Sequence, residues 1–225
     1  MLHIRFVSAA VLAAVAFSAA VPAQAGGKWL REGNTTIIAG PTRNTKAVEI
    51  ASDPNYPYPD LRSYGLIAFA PSGKAKTKLR LGKINNLSIS YDVMDGETAG
   101  GSPRMSIIVD VNRDGEFDFA DDEVVFVSLG NDPGGTNEAG DFVMTGNLLL
   151  DEGIFTTASG SVVLGDWEDV LNQTVNGLPI SQGAVDYVFT IVDAATGPEE
   201  LKVAVTAMQV NKDKLNARAR IPSTN

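Results

Sequence analysis

Oxygen-bearing side chains recur at alternate positions between residues 110 and 121, as they do in loops that wrap around a calcium ion. The segment reads Asp-Val-Asn-Arg-Asp-Gly-Glu-Phe-Asp-Phe-Ala-Asp. Its first, third and fifth residues supply oxygen ligands in the twelve-residue calcium-loop pattern, and Gly115 can make the sharp turn at the sixth. The seventh residue offers its backbone carbonyl, the ninth binds directly or through water, and the twelfth closes the loop. The predicted ligands of one Ca²⁺ are therefore Asp110, Asn112, Asp114, Glu116, Asp118 and Asp121.

This loop resembles the calcium loop of dockerins, which also reads Asp-x-Asn-x-Asp-Gly and ends in Asp. The resemblance covers twelve residues and implies calcium binding. Dockerin loops lead into a helix, whereas residues 123–127 here read Glu-Val-Val-Phe-Val, which is typical of a strand. We therefore predict a calcium loop inserted between two strands and not a pair of EF-hands. The alternative is an acidic hairpin turn that binds no metal.

Three further groups of side chains have chemistry that suits a site. Tyr56 and Tyr58 alternate with prolines and could stack on a sugar ring, although such a loop more often covers one end of a sandwich. Asp92, Asp95 and Glu97 could include the carboxylate pair of a glycosidase, or could simply be solvated acids. A basic run could meet an acidic polysaccharide or form a solvated edge strand. Its members are Lys74, Lys76, Lys78, Arg80 and Lys83.

Composition excludes several kinds of active site. The chain has no cysteine, which excludes disulfides, thiolate metal sites and cysteine nucleophiles. Its single histidine, His3, lies in a segment that we expect to be removed, so histidine-based triads and the usual zinc sites lose their essential residue. The formal net charge of −9 disfavours nucleic acid and anionic membrane surfaces as partners.

Residues 1–25 have the layout of a secretory signal peptide. Arg5 precedes an apolar run over residues 6–20, and Pro22 is followed by Ala-Gln-Ala, a small-x-small cleavage pattern. The apolar run is short for a membrane span, and an uncleaved anchor is the alternative. We predict a mature chain that begins near Gly26 and is secreted, periplasmic or held at the cell surface.

The rest of the chain indicates an all-β fold, an antiparallel β-sandwich of jelly-roll or lectin-like type with one short helix. Residues 87–93 alternate apolar and polar side chains, and residues 105–109 are almost continuously apolar, as in a central strand. Asp166 can cap a helix that ends by residues 177–179. We predict a single domain over residues 26–210 and a polar tail over 211–225. Further strands are predicted at 35–39, 47–51, 64–70, 76–81, 124–129, 142–150, 161–164, 185–192 and 201–210.

A wider stretch is similar to a group of exported bacterial β-sandwich proteins of unknown function. The similarity rests on Asn-Leu-Ser-Ile-Ser-Tyr-Asp at 86–92, Gly-Gly-Ser-Pro-Arg at 100–104, Trp167, and Val-Asp at 192–193. It runs loosely from about residue 60 to 211, implies a lectin-like or jelly-roll sandwich, and brings no catalytic residues with it.

Three classes of function fit these features. The first is a non-catalytic extracellular binding or surface-structural module that is stabilised by calcium and has carbohydrate or a cell-surface polymer as its partner. The second is a polysaccharide-acting enzyme that uses carboxylates or a metal. The third is an assembly subunit of a surface layer. Because no pair of catalytic groups has a diagnostic spacing, we favour the non-catalytic module.

Overall fold

A computed structural model describes residues 27–56, 60–74, 78–96, 102–129, 142–193, 200–215 and 217. Most of these residues lie in antiparallel strands, and two sheets pack face to face around a common apolar core. The all-β, antiparallel sandwich predicted from the sequence is therefore confirmed. The jelly-roll connectivity within that class stays a prediction.

One sheet, which we call sheet A, contains six strands that all pair antiparallel. In spatial order they are β1 (Lys28–Gly33), β4 (Gly65–Ala70), β12 (Ala184–Val192), β6 (Arg104–Asp110), β7 (Glu123–Ser128) and β9 (Phe155–Thr157). Sheet B contains β2 (Thr35–Ala39), β3 (Lys46–Ser52), β13 (Leu201–Val210), β5 (Leu87–Asp95) and β8 (Val143–Met144), and β14 (Asp213–Lys214) pairs with β13. A separate hairpin joins β10 (Thr174–Val175) to β11 (Leu178–Pro179).

Side chains alternate between two apolar clusters along the central strands of sheet A. On β4, Ile67 and Phe69 face the core between the sheets, whereas Leu66 and Ala68 belong to a second cluster on the other face. Because both faces are buried, these strands read as nearly continuous apolar runs. The second cluster comprises Leu30, Tyr64, Leu66, Ala68, Ile108, Phe189 and Ile191.

The one α-helix of the described residues, α1 (Trp167–Leu171), begins where the sequence predicts. Asp166 is its N-cap, and the Asp169 side chain accepts a hydrogen bond of 2.9 Å from the Asp166 amide in a capping box. Val170 is buried, and Trp167 packs against Phe155 of β9. The helix ends at Leu171, and the following residues form the β10–β11 hairpin.

Three of the predicted strands are wrong or shortened. In the described part of 76–81, Arg80 makes only a single bridge to Ala184, and a 3-10 turn follows at Leu81–Lys83. Within 142–150, only β8 is a strand, and Leu148–Leu150 is a second 3-10 turn. Residues 161–164 form no strand, because the segment that pairs with β7 is β9, six residues earlier.

The polar segments at the two ends of the domain also form strands. β1 contains Arg31 and Glu32, whose charges hide its pattern in the sequence, yet it pairs along its whole length with β4. After residue 210, where we predict a tail, β14 adds to sheet B, and Leu215 and Ala217 join the core. No helix of the described residues is long and apolar enough to cross a membrane.

Candidate metal centre

The acidic loop joins β6 to β7, two neighbouring antiparallel strands of sheet A. The last pair of that ladder is Val109 with Glu123, so the loop begins at Asp110 and ends at Asp122. Both aspartates lie at the base of the loop, where Asp110 is fully buried and Asp122 is 5% exposed. A loop between two strands is what the sequence predicts at this position.

Alternate polar side chains fold the loop by binding the backbone two residues ahead. The Oδ1 atoms of Asn112, Asp114 and Asp118 accept hydrogen bonds of 2.8–2.9 Å from the amides of residues 114, 116 and 120, respectively. Asp and Asn favour this local turn because the side-chain oxygen imitates a backbone carbonyl. Gly115 has φ +94°, a left-handed conformation that suits glycine, and its amide donates to Asp110 Oδ2 at 2.9 Å.

The Asp110 carboxylate has an unsatisfied oxygen. Its Oδ1 is buried and has no hydrogen-bond partner, while Oδ2 accepts from the middle of the loop. Burial raises the pKa of Asp110, and the negative charges of Asp186 and Asp114 raise it further. A buried acceptor without a partner destabilises the folded chain by about 1–3 kcal/mol, and by more when it is charged. The atom is therefore suited to an incoming cation.

Asp122 is a second buried carboxylate at the same place. Its Oδ1 accepts from the Val111 amide at 2.7 Å and its Oδ2 accepts from the Asp118 amide at 2.8 Å. Burial is the main cause that raises its pKa, and the charges of Asp110 and Asp114 add to it. The structure thus brings Asp110, Asp114 and Asp122 close enough for mutual repulsion.

Asp121, the predicted closing ligand, is turned away from this group. It is exposed, and its Oδ1 accepts a hydrogen bond of 2.7 Å from Asn176 Nδ2 at the tip of the β10–β11 hairpin. Asn176 also donates to the Ala120 carbonyl at 3.0 Å. Asp122 is absent from the predicted ligands because it falls at position 13, outside the loop pattern. The one indication in the sequence is that two acids, residues 121 and 122, are adjacent just before a strand. Neighbouring strand residues face opposite sides, so either of the two could be the one that faces the loop.

The other predicted ligands lie on the outer part of the loop. Asn112, Asp114, Glu116 and Asp118 are exposed. Among the described residues, no three His, Cys, Asp or Glu side chains are already grouped as they are around a metal ion. The loop therefore combines oxygen ligands in the right order with a conformation closed by its own hydrogen bonds. A side-chain oxygen that accepts one amide hydrogen bond keeps a second lone pair, and a carboxylate has a second oxygen, so these turns do not use up the capacity of the side chains to bind an ion.

Only some of the remaining candidate residues lie in the part of the chain that the structure describes. The Arg62 guanidinium carbon lies 3.4 Å from the Tyr56 ring centroid, so one face of that ring is already covered, and Tyr58 lies outside the described residues. Asp92 is buried and Asp95 is exposed 3.8 Å from Lys202, while Glu97 is again outside the described ranges.

The basic run is also divided. Lys78 pairs with Asp186, whereas Lys74 and Lys83 are exposed. Arg80 Nη1 donates to the Gln182 side chain at 2.8 Å, and Lys76 is not among the described residues. The four cations of this run that the structure describes therefore do not lie on one edge strand.

Comparisons with known proteins leave the chain without an assigned family. No family model and no curated protein matches it. Among solved structures, the chain is similar to "Structure of PfGH50B", with a TM-score of 0.32 and 10% identity over 84% of this chain. It spans only 23% of that protein. It is also similar to the "Xyloglucanase domain of NopAA", an effector from Sinorhizobium fredii, with a TM-score of 0.33, 20% identity, and coverage of 84% and 95%. TM-scores this low carry no argument about what the chain does.

Proposed function

We propose that this protein is an exported, calcium-binding β-sandwich that serves as a non-catalytic extracellular binding or surface-structural module. The observation that supports the calcium site most directly is Asp110 Oδ1, a buried carboxylate oxygen with no partner at the base of a loop of alternating oxygen ligands. A hard cation with six to eight oxygen ligands would satisfy it. The same ion would neutralise the repulsion among Asp110, Asp114 and Asp122.

The ligand set follows from the loop. Asp110, Asn112 and Asp114 supply side-chain oxygens, Glu116 its backbone carbonyl, and Asp118 a direct or water-mediated contact. Asp121 closes the loop once its hydrogen bond with Asn176 breaks, and the buried Asp122 supplies a further carboxylate. Mg²⁺ would bind less well, because it demands a tight octahedron and gives up its water reluctantly.

Calorimetry on residues 26–225 tests this site. After EDTA treatment and dialysis, titration with CaCl₂ is expected to show one ion per chain with a Kd of about 10⁻⁴ to 10⁻³ M, the range of extracellular calcium modules. Asp110→Asn should abolish the binding heat, whereas Asp151→Asn, an equal change of charge at an exposed residue outside the loop, should leave it unchanged. Absence of binding heat in the wild type would mean that the loop is only an acidic turn.

Export and the lack of catalysis need their own measurements. Intact-mass analysis of secreted material should show the loss of residues 1–25, whereas full-length protein in washed membranes would contradict export. Panels of glycosidic, ester and peptide substrates should show no turnover by the calcium-loaded protein. Hydrolysis that Asp95→Asn abolishes would instead make the protein an enzyme.

A further inference from the structure

An open cleft of about 710 Å³ lies between the two sheets at one end of the sandwich. Phe69 and Pro71 line it from the end of β4, Leu79 follows along the chain, and Asn86 and Gln209 line it from sheet B. β12 pairs Ala184 with Asp110 and Val188 with Phe69, so this is also the end that carries the calcium loop. The volume falls within the range of small-molecule sites.

The lining combines an apolar floor with neutral polar groups. Phe69 and Leu79 pack against the core, whereas the rim carries the amides of Asn85, Asn86 and Gln209. The lining also holds one cation and one anion, Lys212 and Asp213, so it has little net charge. A side-chain amide carries both donors and an acceptor. Gln209 Nε2 already donates to the Asn211 carbonyl and Asn86 Oδ1 is buried, so Asn85 is the amide that offers both. Such a surface matches a molecule with a flat C–H face and a rim of hydroxyl groups that both donate and accept.

One turn holds the rim in place. Asn211 Oδ1 accepts from the Asn85 amide at 2.7 Å, its Nδ2 donates to the Lys83 carbonyl at 3.1 Å, and its own amide donates to the Asn86 carbonyl at 2.8 Å. On the other side, Asn147 Nδ2 donates to the Asn85 carbonyl at 3.0 Å. The backbone that presents Asn85 and Asn86 is therefore fixed before any ligand arrives, which lowers the entropy lost on binding.

Several polar side chains that line the cleft have no partner among the described residues. Ser72, Asn85, Lys212 and Asp213 form no side-chain hydrogen bond or ion pair with another described residue. Asn86 Oδ1 is buried and has no partner, although buried polar atoms nearly always have one. Asn85 and Lys212 are exposed, so a ligand can reach these polar groups without breaking a contact that holds the fold.

We propose that this cleft binds an uncharged oligosaccharide, whose hydroxyl groups meet the Ser72 and Asn85 side chains while a pyranose C–H face lies on Pro71 and Leu79. This inference deepens the proposed binding module by giving it a ligand class and a place. It does not use Tyr56 or the acidic loop. The overall negative charge of the chain and the balanced charges of the cleft favour a neutral glycan over an anionic one.

The test titrates residues 26–225, with saturating Ca²⁺, with cellohexaose, xylohexaose, mannohexaose and maltohexaose, and with hexagalacturonate as the anionic comparison. At least one neutral hexasaccharide should bind, and it should shift the side-chain amide resonances of Asn85 and Asn86 in a ¹H–¹⁵N spectrum. The double variant Ser72→Ala/Asn85→Ala should raise the Kd at least tenfold. Asn172→Ala, which removes an exposed amide after α1, should leave the Kd unchanged.

Three outcomes would overturn the inference: no binding of any neutral hexasaccharide, a preference for hexagalacturonate, or neutral binding that neither shifts Asn85 and Asn86 nor weakens in the double variant. The resonance shifts locate the ligand even if the double variant unfolds. Calcium calorimetry on the same protein separates the two proposals. Calcium binding without glycan binding would support the metal site and refute the glycan site in the cleft. Glycan binding at the cleft without calcium binding would support the glycan site and refute the metal site.

Discussion

Calcium should raise the thermal stability of the protein by an amount that follows from the affinity expected of the loop. At 10 mM Ca²⁺, a Kd of about 10⁻⁴ M gives a hundredfold excess over Kd, which adds about 2.7 kcal/mol to the free energy of unfolding. A Kd of about 10⁻³ M gives about 1.4 kcal/mol. For a domain of this size, each kcal/mol raises Tm by about 2–4 °C. The expected increase in Tm is therefore between about 3 and 11 °C.

Asp110→Asn separates this effect from general screening of negative charge. Burial raises the pKa of Asp110, so its ionised form at pH 7 disfavours folding when no metal is bound. In EDTA the variant should therefore melt no lower than the wild type, and it should lose the calcium-dependent increase. Asp151→Asn should keep that increase, and 10 mM MgCl₂ should give less of it.

Differential scanning calorimetry in EDTA, CaCl₂ and MgCl₂ measures these quantities. A wild-type Tm that is the same in EDTA and in calcium would contradict a calcium site in the loop, as would an equal rise with both ions in the wild type and in Asp110→Asn. Equal effects would mean that divalent ions act on the whole acidic surface. A variant that melts far below the wild type in EDTA would show that the ionised carboxylate stabilises the metal-free loop.

Three further predictions concern the same fold. Both Nη atoms of Arg104 bind the Asp193 carboxylate, which is 9% exposed. Arg104→Met leaves that carboxylate without its cation and should lower the free energy of unfolding by about 3–5 kcal/mol in urea melts. A loss under about 1 kcal/mol would refute this. Asp166→Ala should lower it by about 1 kcal/mol, because α1 loses its N-cap. The pKa values of Asp110 and Asp122 are raised in the folded protein, so the native state binds more protons than the unfolded chain as the pH rises through them. The metal-free protein should therefore become less stable over that pH range. Saturating calcium should remove this trend.

The sequence predicts the strands whose burial is regular and fails where burial is not. Residues 87–93 alternate because successive side chains of β5 face opposite sides of sheet B, with Leu87, Ile89 and Tyr91 in the core. The alternation of lysines over 76–81 imitates an edge strand, but Lys78 is held instead by Asp186 of β12. That tertiary ion pair leaves no trace in local periodicity. β1 is not predicted because it contains a charged residue, Glu32, that is buried in the fold. Glu32 accepts a hydrogen bond from the Tyr64 hydroxyl.

The candidate metal centre likewise has features that the sequence predicts and features that it does not. The order of oxygen ligands and the glycine at position 6 are visible in the sequence, because they depend on neighbours within twelve residues. The partner of Asp121 is not visible in the loop sequence, because it is the side chain of Asn176, more than fifty residues away along the chain. The end cleft could not be predicted at all, since its walls come from both sheets and meet only in the folded chain.

The alternation of Asp and Asn in this loop has two physical uses, and the structure distinguishes them at one atom. Side chains that accept hydrogen bonds from the amides two residues ahead would form a tight turn whether or not an ion is present. Asn112, Asp114 and Asp118 are used in that way. Asp110 is not fully used, since its Oδ1 is buried without a donor and thus disfavours the metal-free fold. With Asn at position 110, a turn that needed no ion would keep an acceptor for the Gly115 amide and would bury no charge, so the buried carboxylate there is the strongest physical argument for calcium.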